Sequence, residues 1–154
     1  MPIFHGTYYC KMDAKGRVML PVELRKQLSD QQVDKLVLKR AIYHNNLEMY
    51  PESVWEKLMT KLNKLNRFNK KNVIFLTRFL AGVRFATIDA TGRMQIPKGL
   101  VNDAGLKKDI VITSSIEILE IWDKETYEKF LEDNTEGFED LSEEVMEKLN
   151  HYDD

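Results

Sequence analysis

The pentapeptide Asp13-Ala14-Lys15-Gly16-Arg17 returns 76 residues later as Asp89-Ala90-Thr91-Gly92-Arg93. Each copy leads, after three residues, to a proline, Pro21 and Pro97. A chain that repeats a turn, an arginine and a proline in register is two copies of one small unit, so it must fold as a pair. The flanks repeat as well. Tyr8-Tyr9-Cys10-Lys11-Met12 stands before the first copy and Arg84-Phe85-Ala86-Thr87-Ile88 before the second. Leu36-Val37-Leu38-Lys39 matches Ile110-Val111-Ile112-Thr113, and Leu47-Glu48-Met49-Tyr50 matches Leu119-Glu120-Ile121-Trp122. The offset falls from 76 to 72, which predicts four extra residues in the first copy around His44-Asn45-Asn46, a polar segment where insertion is tolerated.

Alternation over Thr7–Met12 and Arg84–Ile88 predicts strands. Asp at the first and Gly at the fourth position suit a type I turn followed by a left-handed residue, which predicts a bulged hairpin. Asp13, Gly16, Asp89 and Gly92 are therefore the turn-organising residues, and Arg17 and Arg93 begin the return strands beside each tip. Pro21–Leu28 and Pro97–Ala104 read as short helices with proline in the first turn, the second weakened by Gly99. Further strands are expected at Lys35–Lys39, Asn46–Tyr50, Asp109–Thr113 and Ile116–Trp122. Helices at Glu52–Leu62 and Lys71–Leu80 join the halves, and Trp55, Trp122, Phe75 and Phe79 read as core. The division is 1–51 first half, 52–82 connecting helices, 83–131 second half and 132–154 acidic tail. Neither β unit of about 45 residues buries enough surface to stand alone. The expected architecture is mainly β with helices (α+β), two halves sharing one core about an approximate two-fold axis.

Charge is split. Of the chain's 25 acids and 23 bases, residues 123–154 hold 13 acids and 3 bases, leaving 12 acids and 20 bases in residues 1–122. A basic body with an acidic tail suits a nucleic-acid protein, although the tail can equally be a solvated helical face on which Leu141, Val145, Met146 and Leu149 dock or stay frayed. Cys10 is the only cysteine, which suits a reducing cytoplasm. His5, His44 and His151 lack metal-ligand spacing, so no metal or cofactor is expected. Neither a signal peptide nor a run of about 18 apolar residues is present, so no membrane partner is expected. No nucleophile elbow, P-loop or GxGxxG motif occurs, and the expectation is a non-enzyme without a small-molecule substrate.

The doubled Asp-x-x-Gly-Arg turn with its proline resembles the MraZ family. Phe4-x-Gly6, Lys15-Gly16-Arg17, Leu24-Arg25, Ala104-Gly105-Leu106 and Glu120-Ile121-Trp122 support the likeness over residues 1–131. The resemblance implies a double-split β-barrel built from two SpoVT/AbrB-like repeats in one chain. It implies a cytoplasmic, nucleoid-associated regulator, usually a repressor, of the division and cell wall gene cluster. It implies assembly into a homo-oligomeric ring on direct repeats of double-stranded promoter DNA. It also ties the Asp-x-x-x-Arg motif, here Asp13–Arg17 and Asp89–Arg93, to DNA contact. Arg17 and Arg93 are the main candidates, with Lys15, Lys11 and Arg84 as secondary phosphate contacts. The alternative for both arginines is surface charge or a salt bridge to the turn aspartate. Thr91 replaces Lys15, Val101 replaces Arg25 and Ser114-Ser115 stands where a glycine often follows the third strand of the second half. These departures predict that Arg93→Ala weakens binding less than Arg17→Ala. The rival class is an AbrB-like protein-interaction or antitoxin-type module without its own operator.

Overall fold

The computed structural model describes residues 2–153, which form two compact units divided after Lys124. In the first unit, strands β1 (Thr7–Lys11) and β2 (Arg17–Met19) flank the first turn, and β5 (Arg84–Thr87) and β6 (Arg93–Gln95) flank the second. Helices α1 (Val22–Asp30) and α4 (Lys98–Asp103) follow the two prolines. Then come β3 (Lys35–Arg40) and β4 (Leu47–Pro51) in the first half, and β7 (Asp109–Ser115) and β8 (Ile118–Asp123) in the second. Helices α2 (Glu52–Leu62) and α3 (Lys70–Leu80) connect the halves. The α+β class and the two repeats are as expected.

The hairpins are not. Within each half only one bridge joins the arms of the turn, Met12 to Val18 and Ile88 to Met94. The arms then part. β1 leaves its own half and pairs with β7, while β5 pairs with β3. β2 pairs with β6 in a separate two-stranded ribbon, and the larger sheet runs β1-β7-β8-β4-β3-β5, with every pair antiparallel. Each half therefore donates its first strand to the other, which is the split that the family resemblance implies. Equivalent residues face each other at the centre of the two pairings that join equivalent strands, Val18↔Met94 in the ribbon and Glu48↔Glu120 between β4 and β8. Self-pairing of equivalent positions is the signature of a two-fold axis, and here the axis passes through both sheets.

The same registers correct the position of the extra residues. Lys11↔Asp109 and Lys35↔Thr87 make Lys35 equivalent to Asp109, an offset of 74. Leu36↔Pro51 and Ile110↔Asp123 make Pro51 equivalent to Asp123, an offset of 72. Half of the four-residue slip thus lies between β2 and β3, where α1 has 9 residues against 6 in α4, and only half near His44. The match of Leu36 to Ile110, an offset of 74, already carries this division.

One core lies between the ribbon and the six-stranded sheet. Val18 and Met94 supply its ribbon side, fully buried, and Leu36, Leu38, Ile110, Ile112, Met49 and Ile121 its sheet side. Leu24 and Leu100, equivalent positions on α1 and α4, pack into the same cluster. Each such aliphatic side chain stabilises by about 1.5–3 kcal/mol on burial. Trp55 and Trp122 are core, as read from sequence, but Phe75 is exposed and Phe79 only half-buried. The reason is that α3, although amphipathic, has no buried residue at all. In the second unit, α5 (Lys124–Asp133) and α6 (Phe138–Asp153) form helices separated by a turn at Gly137, whose φ is +83°. No helix among the described residues is long and apolar enough to cross a membrane.

Candidate nucleic-acid interface

Each turn is built by its aspartate. Asp13 Oδ1 accepts hydrogen bonds from the backbone N–H of Lys15 and of Arg17, both at 2.9 Å. Asp89 Oδ1 accepts from Thr91 N at 2.9 Å and Arg93 N at 3.0 Å. Gly16 and Gly92 close the turns with N–H to Asp13 O and Asp89 O, at φ +79° and +88°, where a Cβ is strained. The carboxylates are held below the usual range for different leading reasons. For Asp13 it is the backbone N–H of Arg17, then its side chain. For Asp89 it is the Thr91 hydroxyl, then the backbone N–H of Arg93.

Each tip is fastened to the opposite half. Ile96 N–H donates to Gly16 O at 2.8 Å, and its counterpart Leu20 N–H donates to Gly92 O at 3.0 Å. Strand exchange makes this possible, because β2 and β6 lie side by side. The alternation along them, exposed-buried-exposed, turns Val18 and Met94 inward. Arg17, Met19, Arg93 and Gln95 all share the outer face. Arg17 lies opposite Gln95 and Met19 opposite Arg93, so the two arginines are diagonal neighbours, about 7–8 Å apart along the ribbon.

The candidate residues do not stand alike. Arg17 donates through Nε to Asp13 Oδ2 at 2.7 Å, the salt bridge foreseen as its alternative, but Nε is one donor position of three and the side chain is 42% exposed. No carboxylate pairs with Arg93 among the described residues. Lys15 is exposed at the first tip. Lys11 is held by Asp109 at 2.8 Å, and that pair is exposed and weak. Arg84 opens β5 at the strand end remote from the tip, at the opposite edge of the sheet from Lys11, and donates to Val83 O. The ribbon thus brings Arg17, Arg93 and Lys15 into one neighbourhood and leaves Arg84 outside it. Cys10 is buried, and burial pushes its thiol up to about 11.

Gln95 escaped the sequence reading, and Arg25 was noted there only as a departure between the repeats, without its place in the second half. The Gln95 side-chain amide donates to Lys15 O, tying the second half's ribbon strand to the first tip. Arg25, on α1, donates through Nε to Leu20 O at 3.0 Å and lies against Gly92, so close that a Cβ there would sit 2.6 Å from its Nη1. Both occupy positions where the repeat is broken, Gln95 against Met19 and Arg25 against Val101. That was the available signal.

A duplicated, strand-exchanged chain showing two arginine-bearing turns on one ribbon is a single-chain pseudo-dimer of the SpoVT/AbrB-like kind. Two stretches, residues 3–78 and 79–149, each match the family described as "MraZ protein, putative antitoxin-like". The chain is 54% identical over 141 residues to a Christiangramia forsetii protein named "Transcriptional regulator MraZ", covering 92% of this chain and 91% of that one. A Flavobacterium psychrophilum protein of the same name is 52% identical over 145 residues, covering 94% and 92%. One from Leuconostoc citreum is 34% identical over 145 residues, covering 94% and 98%. The chain belongs to the MraZ family.

Proposed function

We propose that this protein is a sequence-specific, DNA-binding transcriptional regulator that represses the division and cell wall gene cluster by occupying direct repeats in its promoter as an oligomeric ring. The observation that carries the reading is the outer face of the β2–β6 ribbon. It presents two guanidinium groups side by side while its inner face is core, so the pair is held on a rigid support. The major groove is about 12 Å wide and admits a two-stranded ribbon, and arginine pairs with guanine N7 and O6 or bridges phosphate oxygens. Asp13 and Asp89 shape the turns and do not touch the DNA, since a carboxylate is repelled by phosphate. One protomer makes few contacts, so its affinity is modest and salt-sensitive. A ring repeats the contact at fixed spacing and makes each later one intramolecular, which suits tandem sites. Support for self-association comes from α3, which keeps Val73, Ile74, Phe75 and Leu80 exposed on an amphipathic helix.

Gel retardation on a duplex covering the promoter upstream of its own coding sequence, at two salt concentrations, tests the reading. Retardation that weakens steeply with salt, and that Arg17→Ala removes without changing the size-exclusion profile, is expected. Wild-type affinity in Arg17→Ala refutes the assignment. A protein-binding, antitoxin-type module is the second reading, favoured by the stripe Leu141, Val145 and Leu149 left exposed on α6. It predicts no retardation at either salt.

A further inference from the structure

We infer that Arg25, carried by the first half, is a phosphate-contacting residue of the second tip and stands in for the lysine that tip lacks. The inference rests on the DNA-binding reading above. Position 15 of the first tip is lysine, and its equivalent in the second is Thr91. By that count the second tip has one cation fewer. The strand exchange changes the count. Leu20 N–H holds Gly92 O at 3.0 Å, and Leu20 O accepts from Arg25 Nε at 3.0 Å. The same residue thus clamps the tip with its amide and the guanidinium with its carbonyl. Arg25 Nη1, Cζ and Cδ all lie within 3 Å of where a Gly92 Cβ would be, so the guanidinium covers the glycine backbone directly.

Arg25 has five N–H donors, and only Nε is used among the described residues. It is half-buried, and no described carboxylate forms an ion pair with it. None of its nitrogens is both buried and without a partner, so the donors it does not use are open to solvent and to an anion that arrives there. Two carboxylates, Asp34 and Asp89, also line the groove between α1 and the second tip. Asp89 is engaged by Thr91 Oγ1 at 2.6 Å and by two backbone N–H groups. The free donors of Arg25 sit at the Gly92 end, one residue from Arg93. A phosphate oxygen placed there meets the Arg25 guanidinium beside the start of the strand that Arg93 opens, so the second tip draws a cation from each half. The equivalent of Arg25 in the second half is Val101, so the first tip receives no such loan and has Lys15 instead. Each tip then carries two cations, Lys15 with Arg17 and Arg25 with Arg93.

The test must separate a contact from a brace. Arg25→Met keeps an unbranched stem over Gly92 and removes the charge, while Arg25→Lys keeps the charge. Fluorescence anisotropy on a labelled duplex of the upstream promoter, over a salt series, measures the slope of log K against log salt. We expect Arg25→Met to flatten that slope by about 0.9 per engaged protomer, with Arg25→Lys recovering it, since each neutralised phosphate contributes that much. The double variant Thr91→Lys/Arg25→Met should regain the wild-type slope. A brace alone would change affinity in Arg25→Met while leaving the slope at the wild-type value, and that result overturns the inference on its own. A wild-type protein that does not bind duplex DNA at all overturns the functional reading, and the inference with it.

Discussion

The two turn tips have the same backbone and different chemistry. In the first, the aspartate is shared with the arginine that follows it, and Arg17 is tethered at 2.7 Å. In the second, a threonine hydroxyl joins two backbone N–H groups on Asp89 Oδ1, at 2.6 Å, and Arg93 forms no ion pair with a carboxylate among the described residues. Replacing lysine by threonine therefore removes a charge from the tip and adds a side-chain donor to the aspartate. The supports also differ, since Gln95 reaches back to Lys15 O at one tip and Arg25 lies over Gly92 at the other. Two copies of one sequence unit have kept the turn and changed what surrounds it.

The largest expected difference between the tips is steric. A Cβ at Gly16 would lie 2.5 Å from Ile96 O, a backbone atom, whereas at Gly92 it meets the flexible Arg25 side chain. Left-handed backbone at either site disfavours alanine by about 1–2 kcal/mol. Gly16→Ala should lose clearly more than this and Gly92→Ala little more, as read by urea denaturation. Equal losses would show that the two tips are held in the same way.

Next in size are the arginines. Alanine at either should weaken promoter binding by about 1–3 kcal/mol. Composition alone makes Arg93→Ala the milder change. With Arg25 counted at the second tip, we expect the two variants to match within about threefold in affinity. A much milder Arg93→Ala restores the simpler picture in which the tips are unequal.

Thr91→Val deletes the hydroxyl that occupies Asp89. The turn should lose about 0.5–1.5 kcal/mol, the usual net value of one hydrogen bond. Arg93 should then fall onto Asp89, as Arg17 does onto Asp13, and the side-chain Nε resonance of Arg93 in NMR should shift toward that of Arg17. Unchanged chemical shifts would mean that threonine does not keep the arginine free.

The smallest effect concerns the glutamates on the pseudo-axis. Glu48 meets the Lys39 ammonium at 3.3 Å and Tyr50, while Glu120 has the neutral Trp122 Nε1. Burial raises the Glu120 carboxyl, and the nearby Glu48 adds to it. A raised acid favours the folded state most below the unfolded value of about 4.3, and that contribution is lost as pH climbs through the folded value. Glu120→Gln should therefore raise the melting temperature slightly at pH 7 and make no difference near pH 4. A variant less stable at pH 7 would show that the ionised carboxylate is a net benefit.

Much of this was visible in the residues. The turn could be read from Asp13 and Gly16 because their conformational demands are local. So could α2, from Trp55, Leu58 and Leu62 at helical spacing. Partner choice could not. A period of two tells which face of β1 is buried, but β3 and β7 carry nearly the same pattern, so pairing within a half and across halves look alike in one dimension. That ambiguity also concealed where Arg25 ends up: its departure from the repeat was plain, its destination in the other half was not. Phe75 was misread as core because an amphipathic stripe reports an apolar face and not whether anything in the same chain covers it.

The exchange of β1 and β5 also has a mechanical consequence. Each repeat is laced into the other by an edge strand, so the peptide link between them is topologically dispensable. A protease nick in the exposed stretch 63–69 would leave two fragments still clasped together, and separately expressed pieces should find one another as an ordinary intertwined dimer does. The covalent connection is what allows the two sides of that dimer to drift apart in sequence, and so gives the molecule two unlike faces.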